Sequence, residues 1–384
     1  MRVVLASSLG GAGHLQPLVS VGSCLRAAGH HVSLLVPPSL EDGARASGLA
    51  YDVGLEPPRE VVDGYRDRLA LGPAEAVAGL LDRELFAGHC TAAMLTVAES
   101  LVAAERPDLV LREPCEFASA VAAVRAVIPL GTVAISQAQL EHDVLSMVSP
   151  IVDGFHAGTS NAIAAAPFLS SFPESLDPSP WTTTVRYGVE DEPPTALPDW
   201  WHGANGPLVY VTFGSVVGHM PIAGRIFRCA LDAVEHLDAR VLLTVGRSGA
   251  VEGLGAVPGN VHVERWVPQG SVLAACDLVV CHGGSGTTFG ALRAGVPLVI
   301  CPLYADNARN GSAVERARAG IVASDDGAAN VSGRSKWALT MRRSIDHMLE
   351  TPSFALAAAA VGREMSRYPT ADVAISQCVP SSRL

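Results

Sequence analysis

The chain has 384 residues, 49% of them hydrophobic and 17% charged, which is apolar material for two ordinary cores. Lys and Arg total 27 against 38 Asp and Glu, a formal net charge of −11. A surface this acidic repels phosphate backbones and anionic headgroups, which argues against nucleic acid and membrane as partners. The eight cysteines (Cys24, Cys90, Cys115, Cys229, Cys276, Cys281, Cys301, Cys378) are scattered without a CxxC pair, several inside apolar runs. That pattern predicts reduced thiols in a cytoplasmic protein. The opening MRVVLASSLGG is too short for a signal peptide, and no uninterrupted apolar run reaches the ~18 residues of a membrane span.

In chain order, a strand at 3–6 is followed by a Gly-rich turn and a helix at 14–28 that ends at Gly29. A strand at 31–36, a helix at 40–46 and a strand at 49–53 come next. Residues 74–104 read as strongly helical, 109–111 as a strand and 117–126 as a helix. Short apolar strands alternating with helices mark a parallel, doubly wound sheet. The stretch GVEDEPPTALPDWWHGANG, 188–206, lacks periodicity and is rich in Pro, Gly and acids, so it reads as a linker. A second alternation follows, with strands at 208–212, 240–245, 261–263, 278–281 and 297–301. Helices are expected at 222–237, 272–275, 285–294, 307–319 and 336–349. The predicted organisation is therefore a first domain at 1–187, a linker at 188–206, a second domain at 207–352, and a helical tail at 353–384 packing back on the first domain. Two such α/β halves are expected to face each other across a cleft at the carboxyl ends of their strands.

The strongest chemical signal is HGGSGTTFGALRAGVP, His282 to Pro297. Gly283, Gly284 and Gly286 allow close backbone approach, and Ser285, Thr287 and Thr288 add hydroxyls at a predicted helix start. Free amides and the positive helix end suit a diphosphate. The bland reading is a Gly-rich turn with a hydroxyl N-cap.

This segment resembles the donor-binding signature of GT-B glycosyltransferases from antibiotic pathways. VYVTFGS (209–215), RWVPQ (265–269) and CPLYADNARNGSAV resemble three further stretches of that family, in the same order. The resemblance implies a GT-B fold of two Rossmann-like domains. It further implies a metal-independent, inverting transfer from a nucleotide sugar, with no cofactor, to a small-molecule natural-product aglycone. Trp266 would stack on the base while the Val267 backbone reads its edge. The resemblance makes the first domain acceptor-binding and the second nucleotide-sugar-binding. In the second, His282, Gly284, Ser285, Gly286 and Thr287, with Ser215, would hold the diphosphate. Thr212 and Gly214 would lie in the turn facing the donor, and Gln269 would end the segment that brackets the nucleobase. Asp306 and Asn307 would bond the sugar hydroxyls. Gly290 stands where UDP-preferring relatives commonly carry Glu, which leans toward a dTDP-sugar. Asn307 stands where Gln is usual, which suits a deoxysugar.

At the N-terminus, Gly10, Gly11 and Gly13 precede His14, and Pro17 is expected in the first helical turn. Gln16 sits at the third glycine position of GxGxxG, so the dinucleotide fingerprint is not met. The resemblance makes His14 the general base, with Gly13 and Leu15 lining the acceptor. A helix N-terminus favours a neutral imidazole there. It also implies an acid after the strand in RPDLVLREP; Glu113 occupies that position, and Glu116 is the fallback. The remaining histidines form no HxxxH or HxH spacing, so no metal is expected. Residues 65–95 and 140–173 mix Leu, Phe, Met and Ile and are expected to form the aglycone pocket. A homodimer is left open. Two other classes stay in view: an NAD-dependent oxidoreductase, and a non-catalytic nucleotide-sugar-binding partner of another transferase.

Overall fold

The computed structural model describes residues 1–71, 79–190, 193–215, 217–220, 222–247, 249, 253–324 and 331–376. The start of the helix expected from 74, two linker residues (191 and 192) and the tail from 377, Cys378 included, lie outside the described residues. The chain divides into two compact units: Met1–Glu190 joined by the chain from Arg367 onward, and Asp191–Ser366.

The first unit is built on a seven-stranded sheet of order β3-β2-β1-β4-β5-β6-β7. Its strands are β1 (Arg2–Ala6), β2 (His31–Val36), β3 (Ala50–Val53), β4 (Leu109–Arg112), β5 (Leu130–Val133), β6 (Phe168–Ser170) and β7 (Thr184–Arg186). All neighbours pair parallel. Strands β4 and β5 are buried along their whole length and β2 from Val32 onward, as β-branched and Leu runs in a doubly covered sheet require. Helix α1 (Ala12–Ala27) turns Leu15, Leu18, Val21 and Leu25 into the core with Leu5 and Leu34. It starts two residues earlier than the sequence predicts, so Pro17 falls inside the helix rather than in its first turn. The ring removes the amide that would bond the Gly13 carbonyl four residues back.

Leu81–Glu105 is long and apolar enough to cross a membrane by composition, with mean hydropathy 1.4 over its best window. It is a wall of this unit instead. Leu81–Cys90 is π-wound and packs on Ala138–Phe155, while Thr91–Glu105 packs on Ala118–Arg125.

The second unit carries a six-stranded parallel sheet of order β10-β9-β8-β11-β12-β13. These are β8 (Leu208–Thr212), β9 (Arg240–Thr244), β10 (Val261–Glu264), β11 (Leu278–Cys281), β12 (Leu298–Ile300) and β13 (Gly320–Val322). Its core gathers Val209, Val211, Phe213, Ile226, Val241, Leu243 and Val280 under Trp337 and Met341 of the helix Val331–Glu350. The predicted linker ends as part of this unit. Trp200 stacks on His262 of the edge strand β10 with ring centroids 4.6 Å apart, and Trp201 Nε1 donates to the Asn260 carbonyl at 3.2 Å.

The helix Pro352–Met365 belongs to the second unit, because two glycines let backbones touch. A Cβ at Gly362 would lie 2.8 Å from the Leu292 carbonyl oxygen, and one at Gly295 would lie 3.4 Å from Ala359 Cα. Only beyond it does the chain rejoin the first unit, where Ala371, Ala374 and Ile375 enter the core beside α1. Gly362→Val should therefore push this helix off Leu292 and Arg293. A loss of about 1–3 kcal/mol is expected, read as a lower denaturant midpoint for the second unit.

Candidate functional site

In each sheet the candidate residues leave from a pair of parallel strands whose connections depart in opposite directions, the topological switch point of an open α/β sheet. In the first unit these strands are β1 and β4, paired so that Ala6 faces Arg112. Glu113 follows at once and is fully buried. Its Oε1 accepts from the Ser8 amide at 2.9 Å and its Oε2 from the Cys115 amide at 2.7 Å. The same Oε2 lies 3.4 Å from His14 Nδ1. Burial acts to raise this carboxyl, but His14 and the two amides outweigh it and hold Glu113 below the ordinary carboxylate range. The imidazole is 22% exposed and rests against a missing side chain, since a Cβ at Gly10 would lie 2.4 Å from His14 Cδ2. Phe86 lies on the other side, its ring centroid 5.9 Å away. Asp82, one turn earlier on the π-wound segment, is half-buried and is pushed up to about 6 by burial against the pull of Arg83 and His14.

Glu116 does other work. It is buried, and its carboxyl accepts from the amide and hydroxyl of Ser119 at the start of Ala118–Arg125. Arg112, one residue past the strand predicted at 109–111 and given no role there, holds the loop between the two acids. Its buried guanidinium donates to the carbonyls of Pro114 and Glu116 and to Thr132 Oγ1, and it covers the Phe117 ring at 4.7 Å. Leu15 is a correction to the expected acceptor set. Its side chain is 5% exposed and belongs to the core, because it falls on the same helical face as Leu18 and Val21. Gly13 is exposed, with open space where a side chain would be. Of the expected aglycone pocket, Tyr65 and Leu85 cluster with Leu9, Val62 and Cys90, with Phe86 at their edge.

His14, Glu113 and Cys115 place three ligand-type atoms within 4.8 Å of one another. The donor set does not suit a cation. Burial and then Glu113 push the Cys115 thiol well above its ordinary value, and both Glu113 oxygens already accept amides.

In the second unit the equivalent strands are β8 and β11, with Thr212 facing Cys281. His282 follows β11 and is clasped by two glycines. A Cβ at Gly214 would lie 2.8 Å from its Cε1, and one at Gly284 would lie 2.5 Å from its Nε2. The ring is 8% exposed, and its Nδ1 is buried without a hydrogen-bond partner among the described residues. Burial lowers its pKa to about 4, so the imidazole is neutral near pH 7. Gly284 is the N-cap of the helix Ser285–Arg293, which has no side-chain cap among the described residues. Gly283 must be glycine: its φ is +94°, and a Cβ would lie 2.8 Å from Ile300 Cγ2 and 2.9 Å from the Asn307 carbonyl oxygen.

Two of the three hydroxyls at this helix start are already engaged. Ser285 Oγ donates to Asp306 Oδ2 at 2.6 Å, and Thr287 Oγ1 accepts from Gln269 Nε2 at 3.1 Å. Thr212 Oγ1 accepts from the Gly214 amide at 3.4 Å, and Ser215 lies exposed on the same turn. Val267 is buried, while Trp266 is 49% exposed.

Asn307 is engaged within its own loop. It is 1% exposed, its Oδ1 accepts from the Leu303 and Tyr304 amides, and its Nδ2 donates to Asp306 Oδ1. The amide is spent closing its own loop, so its shorter reach says nothing about the sugar. Asp306 remains half-buried at the surface of this network. Asn310, missed in the sequence, is fully buried and ties the network together. Its Nδ2 reaches the Gly283 carbonyl at 2.8 Å, Asp306 Oδ2 at 2.9 Å and Ser285 Oγ at 3.1 Å.

The state of His282 has a consequence for folding. Its pKa falls on folding from the ordinary 6.5 to about 4, so between those values the unfolded chain binds the extra proton and stability drops as pH falls. His282→Gln should flatten this acid limb, recovering up to about 3 kcal/mol of the wild-type loss between pH 6.5 and 4. Denaturant melts at pH 7, 5.5 and 4.5 measure it, and an unchanged acid limb in the variant contradicts the burial argument.

A family profile described as the C-terminal domain of erythromycin biosynthesis protein CIII-like proteins matches residues 228–380. The L-demethylnoviosyl transferase of Streptomyces niveus is 32% identical over 338 residues, covering 84% of each chain. The TDP-daunosamine transferase DnrS of Streptomyces peucetius is 27% identical over 421 residues, covering 95% of this chain and 94% of that one. Among solved structures, the spinosyn rhamnosyltransferase SpnG complexed with thymidine diphosphate superposes with a TM-score of 0.79 at 22% identity, covering 98% and 99%. The fold is that of GT-B glycosyltransferases, and the chain belongs to the glycosyltransferase family of antibiotic biosynthesis.

Proposed function

We propose that this glycosyltransferase moves a deoxysugar from a dTDP-sugar to a hydroxyl of a small-molecule aglycone, by direct displacement with inversion and without a metal. The observation that carries the donor half is His282. A buried imidazole with an unpartnered Nδ1, set between two glycines at an uncapped helix start, is poised to hydrogen-bond an anionic ligand. The leaving diphosphate is held there by backbone amides and the positive helix end, which supply the charge stabilisation a metal would otherwise give. Trp266 offers the half-exposed indole on which the base stacks, beside the buried Val267.

Thymidine is preferred over uridine on three grounds. Position 290 is Gly, so no carboxylate there accepts a ribose 2′-hydroxyl. DnrS is named a TDP-sugar transferase, and SpnG was solved with thymidine diphosphate. Asp306, fixed by Ser285 and Asn310, takes the sugar hydroxyls.

On the acceptor side, His14 removes the proton from the attacking hydroxyl. Glu113, held anionic in a dry setting, fixes the ring through Nδ1 and stabilises the imidazolium that forms. The partly buried Phe86, backed by the apolar cluster of Tyr65, Leu85 and Leu9, faces the aglycone. All seven cysteines among the described residues are free thiols, which supports a reducing, cytoplasmic setting.

Two measurements test the reading. In a thermal-shift series dTDP should raise the melting temperature more than UDP, and NAD should not raise it. An equal response to NAD points to a dinucleotide enzyme instead. With an active donor and acceptor pair, His14→Ala should lower kcat on the order of 10²- to 10⁴-fold while the dTDP response persists. Glu113→Gln should lower it too, by less. Turnover by His14→Ala at the wild-type rate removes the general base.

A further inference from the structure

Arg247 carries no assigned role, yet it occupies a defined place at the candidate base site. β9 and β10 pair with Thr244 facing Glu264, and the Val245 amide extends that ladder to the Glu264 carbonyl at 3.1 Å. Arg247 therefore lies three residues past the end of one strand, and Trp266 two residues past the end of its neighbour. Register alone brings them together. The guanidinium carbon sits 3.8 Å from the centroid of the Trp266 ring, the shortest cation–aromatic distance among the described residues. No carboxylate among the described residues lies within ion-pair distance of it, so the cation is directed at the indole and not at an acid.

The turn leading to Arg247 is itself placed. Gly246 has φ +89°, and a Cβ there would lie 3.6 Å from the Gly214 carbonyl oxygen and 3.7 Å from that of Ser215. The arginine's backbone is thus seated against the turn that also clasps His282. Trp266 keeps 49% of its surface exposed even with one ring face covered. That leaves one face backed by a planar cation and the other available.

We infer that Arg247 is a positioning residue of the donor site: its guanidinium backs Trp266, so that nucleobase, indole and guanidinium form a three-layer stack. This rests on the base-stacking reading of Trp266. A planar cation against one face holds the ring at a fixed tilt, so less freedom is lost when the base lands on the other face. The delocalised, weakly hydrated guanidinium suits this better than an ammonium.

The test is a double-mutant cycle on dTDP binding by calorimetry, with inorganic pyrophosphate as a second probe by competition. Arg247→Ala should weaken dTDP about fivefold and leave pyrophosphate binding unchanged. Arg247→Lys should recover only part of the loss. In a Trp266→Ala background, Arg247→Ala should cost nothing more. With a turned-over donor, the rise in KM should exceed the fall in kcat. Unchanged dTDP affinity in Arg247→Ala, a loss that persists without Trp266, or a parallel loss of pyrophosphate would each overturn the inference. If Trp266→Ala itself leaves dTDP affinity unchanged, the base-stacking reading fails and this inference falls with it.

Discussion

Both candidate sites depend on one constraint: in each sheet two parallel neighbours end together while their following segments diverge. Ala6 faces Arg112 in the first unit and Thr212 faces Cys281 in the second. The backbone just past such a pair cannot continue the ladder, so its amides and carbonyls need other partners. In the first unit the Ser8 amide finds one in the Glu113 carboxylate, which thereby bridges the ends of β1 and β4. In the second, Gly214 closes back on Thr212, and the carbonyl of Gly283 is taken by Asn310. The groups assigned to chemistry on the proposed reading are also the groups that finish the sheet. Their positions are consequently as rigid as the strands that carry them.

Glycine is what lets an imidazole use these crowded ends. His14 lies where a side chain at position 10 would be, and His282 lies where side chains at 214 and 284 would be. Each arrangement trades unfolded-chain entropy for a ring held against backbone, with little freedom of its own. Arg112 performs the complementary task in the first unit. Two acids three residues apart, both buried, would repel across the loop without the guanidinium that bonds its carbonyls.

The parts of this design that were legible in the sequence are those written in glycine, periodicity and position. The β1 and β11 strands and the Gly-rich turns after them could be read that way, whereas the pairing of His14 with an acid at the end of β4 came from the family resemblance. Strands β6 and β7 are three residues each, too short for any alternation to register, and both were missed. The helix Ala138–Phe155 was read only as mixed apolar wall, since Pro150 interrupts it and no cap announces it. Asn307 was assigned by position to a ligand, yet its side chain closes a local loop, and only three-dimensional hydrogen bonding reveals that. Arg112, Asn310 and Arg247 were illegible for one common reason: each acts on neighbours 2 to 27 residues away through side-chain geometry, which spacing does not encode.

The two histidines also differ in a way that bears on the proposed chemistry. His14 faces a buried carboxylate held below its ordinary range, so a proton taken by the ring is met by a full negative charge at 3.4 Å. That environment favours a ring that gains charge during the reaction. His282 pairs with no acid among the described residues, and burial opposes its charging. On the proposed reading it meets the diphosphate as a neutral donor. A permanent cation in so dry a cavity would bind substrate and departing product alike, and uniform binding of that kind does not lower the barrier. A neutral N–H, acting with helix-end amides, strengthens as charge moves onto the leaving oxygen and weakens no less readily on release. The same residue type thus serves opposite electrostatic ends, and what separates the two is whether a carboxylate was built into the neighbouring strand end.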